Sequence, residues 1–453
     1  MSRLEEALKS ACDTQACVIG EDILDQVPVL VRKHFPSATR ALVVADPRTW
    51  AAAGEQVSAL LAAAGIPAER YILEPDGKMF HADYHYAVEV REALAAAGAE
   101  KGDLVPVAAG SGVVNDLVKL ASGDLKVSYL VCATAASVDG YSSFGAAIRS
   151  PEGAKKTYAC PAPRAIVADL NVMRTAPKWM AASGFADLLA KVPAGADWIL
   201  AYELGACEWH DRAWHTVQDG LPDALANPEG VAAMETEPMR KFVEGLMLGG
   251  FAMQDMQSSR PASGAEHMFS HILEMRDHTY KGDIVPHGIQ VGVYTHFMTK
   301  FFEQILAFDY TKLDVDACVA AWPDWPTEEA LARKLFAGTK FPDVGVTSTK
   351  AKYLDKDGLR AQLMIAKTRW PEIRARLEKQ LLPSAEVARR LRVVGAPVYP
   401  EEIGTTREDS CANVIVAAHM RDRYNSLDFT YRTGQMDAFA RAAFGLKGES
   451  HVI

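Results

Sequence analysis

Three histidines and an aspartate have the residue types of a divalent metal site. His267 and His271 stand four residues apart, and His287 follows them. If the first segment is helical, both imidazoles lie on one face, because residues four apart on a helix are neighbours. Two imidazoles and one carboxylate would hold a zinc-like ion and leave one position open for substrate, and Asp187 is the best candidate for the carboxylate. The alternative is a histidine-bearing helix packed in a core, since an HxxxH spacing alone is a weak motif.

A glycine-rich turn upstream has the composition of a phosphate-binding loop. Gly110, Ser111 and Gly112 follow the apolar run at 104–108 and precede a helical pattern. Small residues there let backbone N–H groups approach a phosphate at the N-terminus of a helix. The turn lacks the GxGxxG fingerprint, and a glycine turn between a strand and a helix is often only a turn.

A second polar loop follows the next apolar run, at 129–133. It contains Thr134, Ser137, Asp139 and Ser143. Open α/β sheets bind ligands beyond the carboxyl ends of their strands, which favours a ligand at this loop as well. Asp139 has a competing structural interpretation, because Asp-Gly is a strong turn dipeptide.

Asp46 ends the apolar run at 41–45. An acidic residue in that place can accept hydrogen bonds from an adenosine ribose and would favour NAD slightly over NADP. An aspartate before a proline is equally a helix cap, so both interpretations stay open.

The elements that must carry these residues change in character along the chain. Six β-type runs at 16–19, 41–45, 70–73, 104–108, 128–133 and 165–168 alternate with helical patterns, which predicts a parallel sheet with right-handed crossovers. Long helical patterns then dominate, at 177–191, 237–253, 266–275, 290–307, 328–337, 359–381 and 410–424. We therefore expect a Rossmann-like α/β dinucleotide-binding domain over 1–172 and an all-helical metal- and substrate-binding domain over 173–453.

Composition narrows the class of protein. The 453 residues are 49% hydrophobic and 23% charged, which is typical of a globular protein with a large core. A net charge of −10 without a long basic stretch argues against nucleic-acid and anionic-membrane partners. Seven cysteines without a CxxC pair fit a reducing compartment. No signal-peptide pattern or long apolar run is present, so we expect a cytoplasmic protein.

Taken together, the polar loops and the histidine segments resemble one family of dehydrogenases. The segments that carry the resemblance, in that family's order, are GSGVVNDLVK, TAASVDGYSS, GFADLLAK, SRPASGAEHMFSH and PHGIQVG. They resemble the sn-glycerol-1-phosphate dehydrogenases, within the superfamily of iron-type alcohol dehydrogenases, glycerol dehydrogenases and dehydroquinate synthases. The resemblance covers roughly residues 15 to 300, and it implies a dehydroquinate synthase-like fold.

The resemblance also implies a role for each candidate residue. Asp187, His267 and His287 would be the metal ligands, and Asp139 and His271 would contact the substrate. The cofactor NAD or NADP would lie against the glycine loop and the polar loop, at Gly110, Ser111, Gly112, Thr134, Ser137 and Ser143. The metal would most naturally be zinc, with nickel or iron as alternatives.

The implied reaction is the interconversion of dihydroxyacetone phosphate and sn-glycerol 1-phosphate by hydride transfer. A dehydroquinate synthase-like lyase and a dehydrogenase of an unphosphorylated polyol such as glycerol are the alternatives on the same scaffold. Lys155, Lys156 and Arg260 are the candidate partners of a substrate phosphate. Apolar helices in the second half suggest a homo-oligomer.

Two features depart from the family pattern. The glycine loop opens with Ala108-Ala109 instead of further glycines, and the region from about 308 to 400 looks longer than usual.

Overall fold

The computed structural model describes residues 2–75, 79–153 and 155–447. The chain divides into two compact units, one comprising 1–188, 211–259 and 393–395, the other 189–210, 260–392 and 396–453. The division of roles at residue 172 stays a prediction, and the helices between 211 and 256 belong to the sheet-containing unit.

The strands of the described residues are β1 Ala16–Gly20, β2 Arg40–Ala45, β3 Ala68–Ile72, β4 Leu104–Gly110, β5 Leu130–Ala133, β6 Ala146–Arg149, β7 Lys155–Tyr158, β8 Ala165–Asp169, β9 Thr279–Tyr280 and β10 Asp283–Ile284. The α-helices are α1 Arg3–Leu8, α2 Gln26–His34, α3 Pro47–Thr49, α4 Glu55–Ala63, α5 Tyr84–Ala96, α6 Gly112–Asp124, α7 Leu170–Arg174, α8 Lys178–Leu189, α9 Lys191–Glu203, α10 Asp211–Gln218, α11 Leu221–Leu225, α12 Pro228–Ala232, α13 Thr236–Met256, α14 Ala265–Met275, α15 His287–Ala307, α16 Val315–Ala321, α17 Trp325–Phe336, α18 Val344–Lys352, α19 Lys356–Gln380, α20 Ser384–Val394, α21 Arg407–Ala412, α22 Val414–Ala418, α23 Ser426–Arg432 and α24 Met436–Phe444. Short 3-10 helices occur at Ala99–Lys101, Tyr310–Lys312 and Pro400–Ile403, and a π-helical turn at Trp50–Gly54.

The predicted parallel sheet is confirmed. Six strands pair in the order β1-β8-β5-β4-β2-β3, and every pairing is parallel. Alternate residues of the four central strands, β8, β5, β4 and β2, are buried in one core with apolar residues of α2 and α4. This core includes Val43, Val105 and Val167 from the strands, and Val31 and Val57 from the helices. Parallel sheets need apolar cover on both faces, which the intervening helices supply.

The strand order brings three candidate segments to one edge of this sheet. The chain runs from β2 outward to β3 and then returns to β4 on the other side of β2, which makes the β2–β4 boundary a switch point. In the register, Val44 lies beside Ala108, and Gly110 lies beside Ala133. The chain segments that follow β2, β4 and β5 therefore leave the sheet side by side.

Over its described residues, the second unit is helical apart from the β9–β10 hairpin. This hairpin interrupts the stretch over 173–453 that we expected to be all-helical. Two further features differ from the sequence-based expectation. The β6–β7 hairpin in the first unit was not predicted, because its second strand, Lys155–Tyr158, is short and polar. The helix predicted over 410–424 is wrong in extent: α22 ends at Ala418, where His419 Nδ1 lies 2.8 Å from the Ile415 carbonyl and caps the last turn.

Among the residues that the structure describes, no helix is both long enough and apolar enough to cross a membrane.

Candidate metal and cofactor site

The first histidine pair lies on a helix, as its spacing predicts. His267 and His271 are on α14, and His287 is the first residue of α15. The ring of His287 is centred 5.4 Å from the ring of His267 and 6.2 Å from that of His271. The three imidazoles therefore form one cluster.

Asp187, in the last turn of α8, completes a ligand set with two of these histidines. One potential ligand atom from each of Asp187, His267 and His287 lies within 4.8 Å of the others. Asp187 and His267 are buried, and His287 is half-buried. Two imidazoles and one carboxylate at this spacing suit a single divalent ion with an open coordination position.

His287 is oriented by a buried network. Its Nδ1 lies 3.0 Å from Glu274 Oε1 and 3.0 Å from Ser270 Oγ. The Ser270 hydroxyl in turn donates to Gln290 Oε1 over 3.1 Å. These acceptors place the proton on Nδ1, so metal binding would use Nε2.

His267 has a carboxylate partner of its own. Its Nδ1 lies 2.8 Å from Glu266 Oε1, which also accepts the Gly264 N–H at 2.7 Å. A side chain at Gly264 would approach the Ala194 Cα to 2.7 Å, so glycine is required for this close packing. A carboxylate behind a ligating imidazole fixes the ring and raises its basicity.

Asp187 is held against the polar loop after β5. Its Oδ2 accepts the backbone N–H of Asp139 over 3.2 Å. One turn earlier on α8, a Cβ at Gly184 would lie 2.1 Å from the Ala136 carbonyl oxygen, so only glycine lets the helix come this close. The GFADLL segment therefore carries both the ligand and the residue that permits its placement.

His271 has partners at both ring nitrogens. Nδ1 lies 3.1 Å from Glu274 Oε2, and Nε2 accepts from the Arg421 guanidinium over 2.8 Å. Burial, with the Arg421 charge second, lowers the pKa of His271 to about 3. The imidazole is therefore neutral. For His271 to contact the substrate as predicted, its hydrogen bond to Arg421 or to Glu274 would have to break.

The glycine loop connects β4 to α6. Ser111 is the extended N-cap residue of α6, and Gly112 is the first residue of that helix. The Thr134 N–H donates to the Gly110 carbonyl over 3.0 Å, which fixes the polar loop beside the glycine loop. Thr134, Ser137 and Ser143 are all buried. This is the edge at which α/β sheets bind nucleotides.

Lys119 of α6, whose role the sequence did not reveal, fastens the polar loop. Its fully buried ammonium group donates to the carbonyls of Gly140, Ser143 and Gly145 over 2.8, 3.0 and 3.1 Å. The charge thus fixes the backbone on either side of Ser143, whose hydroxyl donates to the Gly140 carbonyl.

Asp46 is the N-cap residue of α3. Its Oδ1 accepts the backbone N–H groups of Arg48 and Thr49, and its Oδ2 accepts the Thr49 hydroxyl. The cap interpretation therefore describes its present contacts, and the ribose contact stays a prediction.

The candidate phosphate partners belong to different units. Lys155 and Lys156 are on β7, where Lys156 is exposed and lies 3.4 Å from Glu152. Arg260 lines a pocket of the second unit.

Sequence reasoning missed the groups behind the ligands. Glu274 could have been predicted as a partner of the histidines, because it lies seven residues after His267 and therefore on the same helical face. Arg421 offered none, because it approaches α14 from 150 residues away in the chain.

The chain is similar in sequence to known dehydrogenases. Residues 18–177 match the model of the iron-containing alcohol dehydrogenase family. A glycerol-1-phosphate dehydrogenase [NAD(P)+] from Halalkalibacterium halodurans is 32% identical over 63% of this chain and 70% of its own length. One from Bacillus licheniformis is 27% identical over 95% of this chain and 92% of its own. The similarity thus continues well beyond residue 300.

The fold has counterparts among solved structures. Maleylacetate reductase from Agrobacterium tumefaciens superposes with a TM-score of 0.58 at 16% identity, over 97% of this chain and 98% of the other. This likeness supports the predicted architecture. The relatives and the family model together show that the chain belongs to the glycerol-1-phosphate dehydrogenase family of the iron-containing alcohol dehydrogenases.

Proposed function

We propose that this protein is a metal-dependent, NAD(P)-linked oxidoreductase that interconverts dihydroxyacetone phosphate and sn-glycerol 1-phosphate. The observation that carries the proposal is the convergence of Asp187, His267 and His287 within 4.8 Å. The proposed substrate is taken from the relatives, which are named glycerol-1-phosphate dehydrogenases.

The donor set fits a divalent ion. Both imidazoles have carboxylate partners at Nδ1, as ligating histidines usually do. A divalent ion bound there would supply Lewis-acid polarisation of the substrate carbonyl. Zinc is the first choice and nickel or iron are the alternatives, since this set accepts each of them.

The nicotinamide ring would supply the hydride, and the chain's own residues would bind and orient the cofactor. Gly110, Ser111 and Gly112 present backbone at the N-terminus of α6, where a pyrophosphate is favoured. Thr134, Ser137 and Ser143, which are buried in the adjacent loop, would be further cofactor contacts.

Asp139 and His271 would orient the substrate. The Asp139 backbone already bonds the ligand Asp187, so its side chain is attached beside the ligand set. His271 shares Glu274 with His287. Both residues would hold the hydroxyl groups of the three-carbon substrate and keep bulk water from the reacting carbon.

Several finer features belong to the same proposal. The cofactor is NAD or NADP, with Asp46 favouring NAD. The dinucleotide would bind within residues 1–172 and the metal and substrate within 173–453, with Asp139 contributed by the former. We propose a cytoplasmic homo-oligomer that acts on a small phosphorylated polyol or ketone.

The test is oxidation of NADH and of NADPH by metal-loaded protein, with dihydroxyacetone phosphate and dihydroxyacetone as parallel substrates. We expect turnover of the phosphorylated ketone, its loss after EDTA treatment and its recovery with added metal. Equal turnover of both ketones would move the assignment to an unphosphorylated polyol. No turnover of either, with metal and NAD bound, would contradict the proposal and favour a lyase-type reaction on this scaffold.

A further inference from the structure

A pocket in the second unit gathers three arginines. Arg260, Arg421 and Arg423 line it, together with Ser263 and Tyr424. All three arginines are half-buried.

The charges of Arg421 and Arg260 disfavour the charged form of Arg423. Burial first, and then the charges of Arg421 and Arg260, lower the pKa of Arg423 to about 9. Burial also lowers the pKa of Arg260 and of Arg421, while the nearby Asp422 carboxylate opposes the shift at all three. Like charges gathered in a partly desolvated pocket favour the binding of an anion, which would relieve their repulsion.

The pocket also contains neutral polar groups without partners. The Ser263 and Tyr424 hydroxyl oxygens are buried, and among the described residues neither has a hydrogen-bond partner. Buried hydroxyl groups are normally hydrogen-bonded, so these two are available to pair with a ligand. Both can donate to a phosphate oxygen.

The acidic side chain in the pocket is already engaged. Asp197 accepts the backbone N–H groups of Ala265 and Ser426 over 2.7 and 2.8 Å. Burial, followed by the Glu266 charge, raises the pKa of Asp197 to about 7. Its repulsion of an anion is therefore weaker than that of an exposed carboxylate.

The pocket adjoins the first turn of α14, which carries the ligand His267. Gly264 and Met268 of that segment line it. Arg421 extends from the pocket to His271, to which it donates a hydrogen bond. A substrate anchored here would have its other end close to the histidine cluster.

We infer that Arg260, Arg421 and Arg423, with the Ser263 and Tyr424 hydroxyl groups, bind the phosphate monoester of the substrate. The inference rests on the proposed function and specifies which group of the substrate this pocket recognises. Planar guanidinium groups make paired hydrogen bonds to phosphate oxygens, which a lysine ammonium cannot. Of the candidates from the sequence, Arg260 is retained, and Lys155 and Lys156 on β7 are not required.

The test uses the full-length, metal-loaded protein and its R260Q, R423Q and R423K variants. R374Q is the matched control, because Arg374 is an exposed arginine of the same unit that pairs with Glu378. Metal content and Tm are measured first, so that a folding defect is recognised. The readouts are kcat/KM for dihydroxyacetone phosphate and the Ki of inorganic phosphate as its competitor.

We expect R260Q and R423Q to lower kcat/KM by about 10- to 100-fold and to raise the Ki of phosphate by a similar factor, with partial recovery in R423K and no change in R374Q. A purely structural role would not raise the Ki in parallel. If the glutamine variants do not fold, R423K and the rise in wild-type Tm with phosphate, at constant ionic strength, decide the matter.

Failure of this inference is distinguishable from failure of the proposed function. Wild-type protein that does not turn over either ketone overturns the proposed function. Wild-type turnover with an unchanged phosphate Ki in folded R260Q and R423Q, or with no phosphate effect on Tm, overturns the phosphate pocket alone.

Discussion

The proposed metal cluster and the proposed cofactor-binding edge of the sheet are organised by different means. In the cluster, side chains orient side chains: Glu266 supports His267, and Glu274 supports His287. At the sheet edge, side chains mainly bind backbone, as Lys119 does at three carbonyls and Asp46 at two N–H groups. The cluster is thus specified by particular residues, whereas the edge is specified by loop shape.

This difference predicts the largest effect for a ligand of the cluster. H267A should lose the metal and reduce turnover at least about 1,000-fold, because a Lewis-acid metal supplies several kcal/mol and each 1.36 kcal/mol is tenfold in rate. Metal analysis and steady-state assays check this. H215A, at an exposed histidine, is the control. Normal metal content and activity in H267A would remove His267 from the site.

Removing a supporting carboxylate should have a smaller effect. E274Q keeps the shape of the side chain but weakens the acceptor at His287 and His271, and we expect a 10- to 100-fold loss of metal affinity. Metal-buffer titrations measure it, with E378Q on the exposed face of α19 as control. Unchanged affinity would mean that Glu274 does not orient His287.

At the sheet edge, the largest expected effect is that of Lys119. K119M leaves three loop carbonyls without their donor, so we expect a loss of about 3 kcal/mol in stability and a several-fold higher KM for NAD(P)H. Urea unfolding and kinetics check this, with K156M at an exposed lysine as control. A stable K119M protein with wild-type KM would show that loop shape does not govern cofactor binding.

Substitutions at Asp46 should have smaller effects than K119M. D46S retains a helix cap but removes the charge, so stability should change little while the preference for NADH over NADPH falls by about tenfold or less. The ratio of kcat/KM for the two cofactors measures this, and D46A should cost about 1 kcal/mol of stability through the lost cap. If D46S leaves the ratio unchanged, Asp46 is a cap and nothing more.

His296 lies outside both regions and should affect stability without affecting turnover. Burial lowers the pKa of His296 to about 4, so its contribution to stability is present above its unfolded pKa of about 6.5 and is lost as the pH falls toward 4. In H296Q, the free energy of unfolding should therefore fall less steeply between these pH values than in wild type, by up to about 3 kcal/mol. Urea unfolding at a series of pH values measures this. Identical acid profiles for wild type and variant would contradict this.

Much of the fold could be predicted from sequence. The six β-type runs correspond to the six parallel strands, and the apolar signal is strongest in the four central strands, which are buried. The β6–β7 hairpin and the end of α22 could not, since the first has a short polar strand and the second depends on the His419 side chain. Local signals predict regular elements and miss features made by single side-chain contacts.

The same holds for the candidate site. Asp187 and the histidines were found because their residue types and spacing carry the chemistry, and the structure brings three of them together. The arginine pocket was only partly predictable, because Arg421 and Arg423 are far from Arg260 in sequence and meet it only after folding.

The central claim is that Asp187, His267 and His287 hold one divalent ion. The most direct measurement is anomalous diffraction from crystals of metal-loaded protein at the absorption edge of the bound metal. We expect one peak at about 2.0–2.2 Å from a carboxylate oxygen of Asp187 and from Nε2 of both histidines. A peak elsewhere in the molecule, or a metal-free cluster in catalytically active crystals, would contradict the claim.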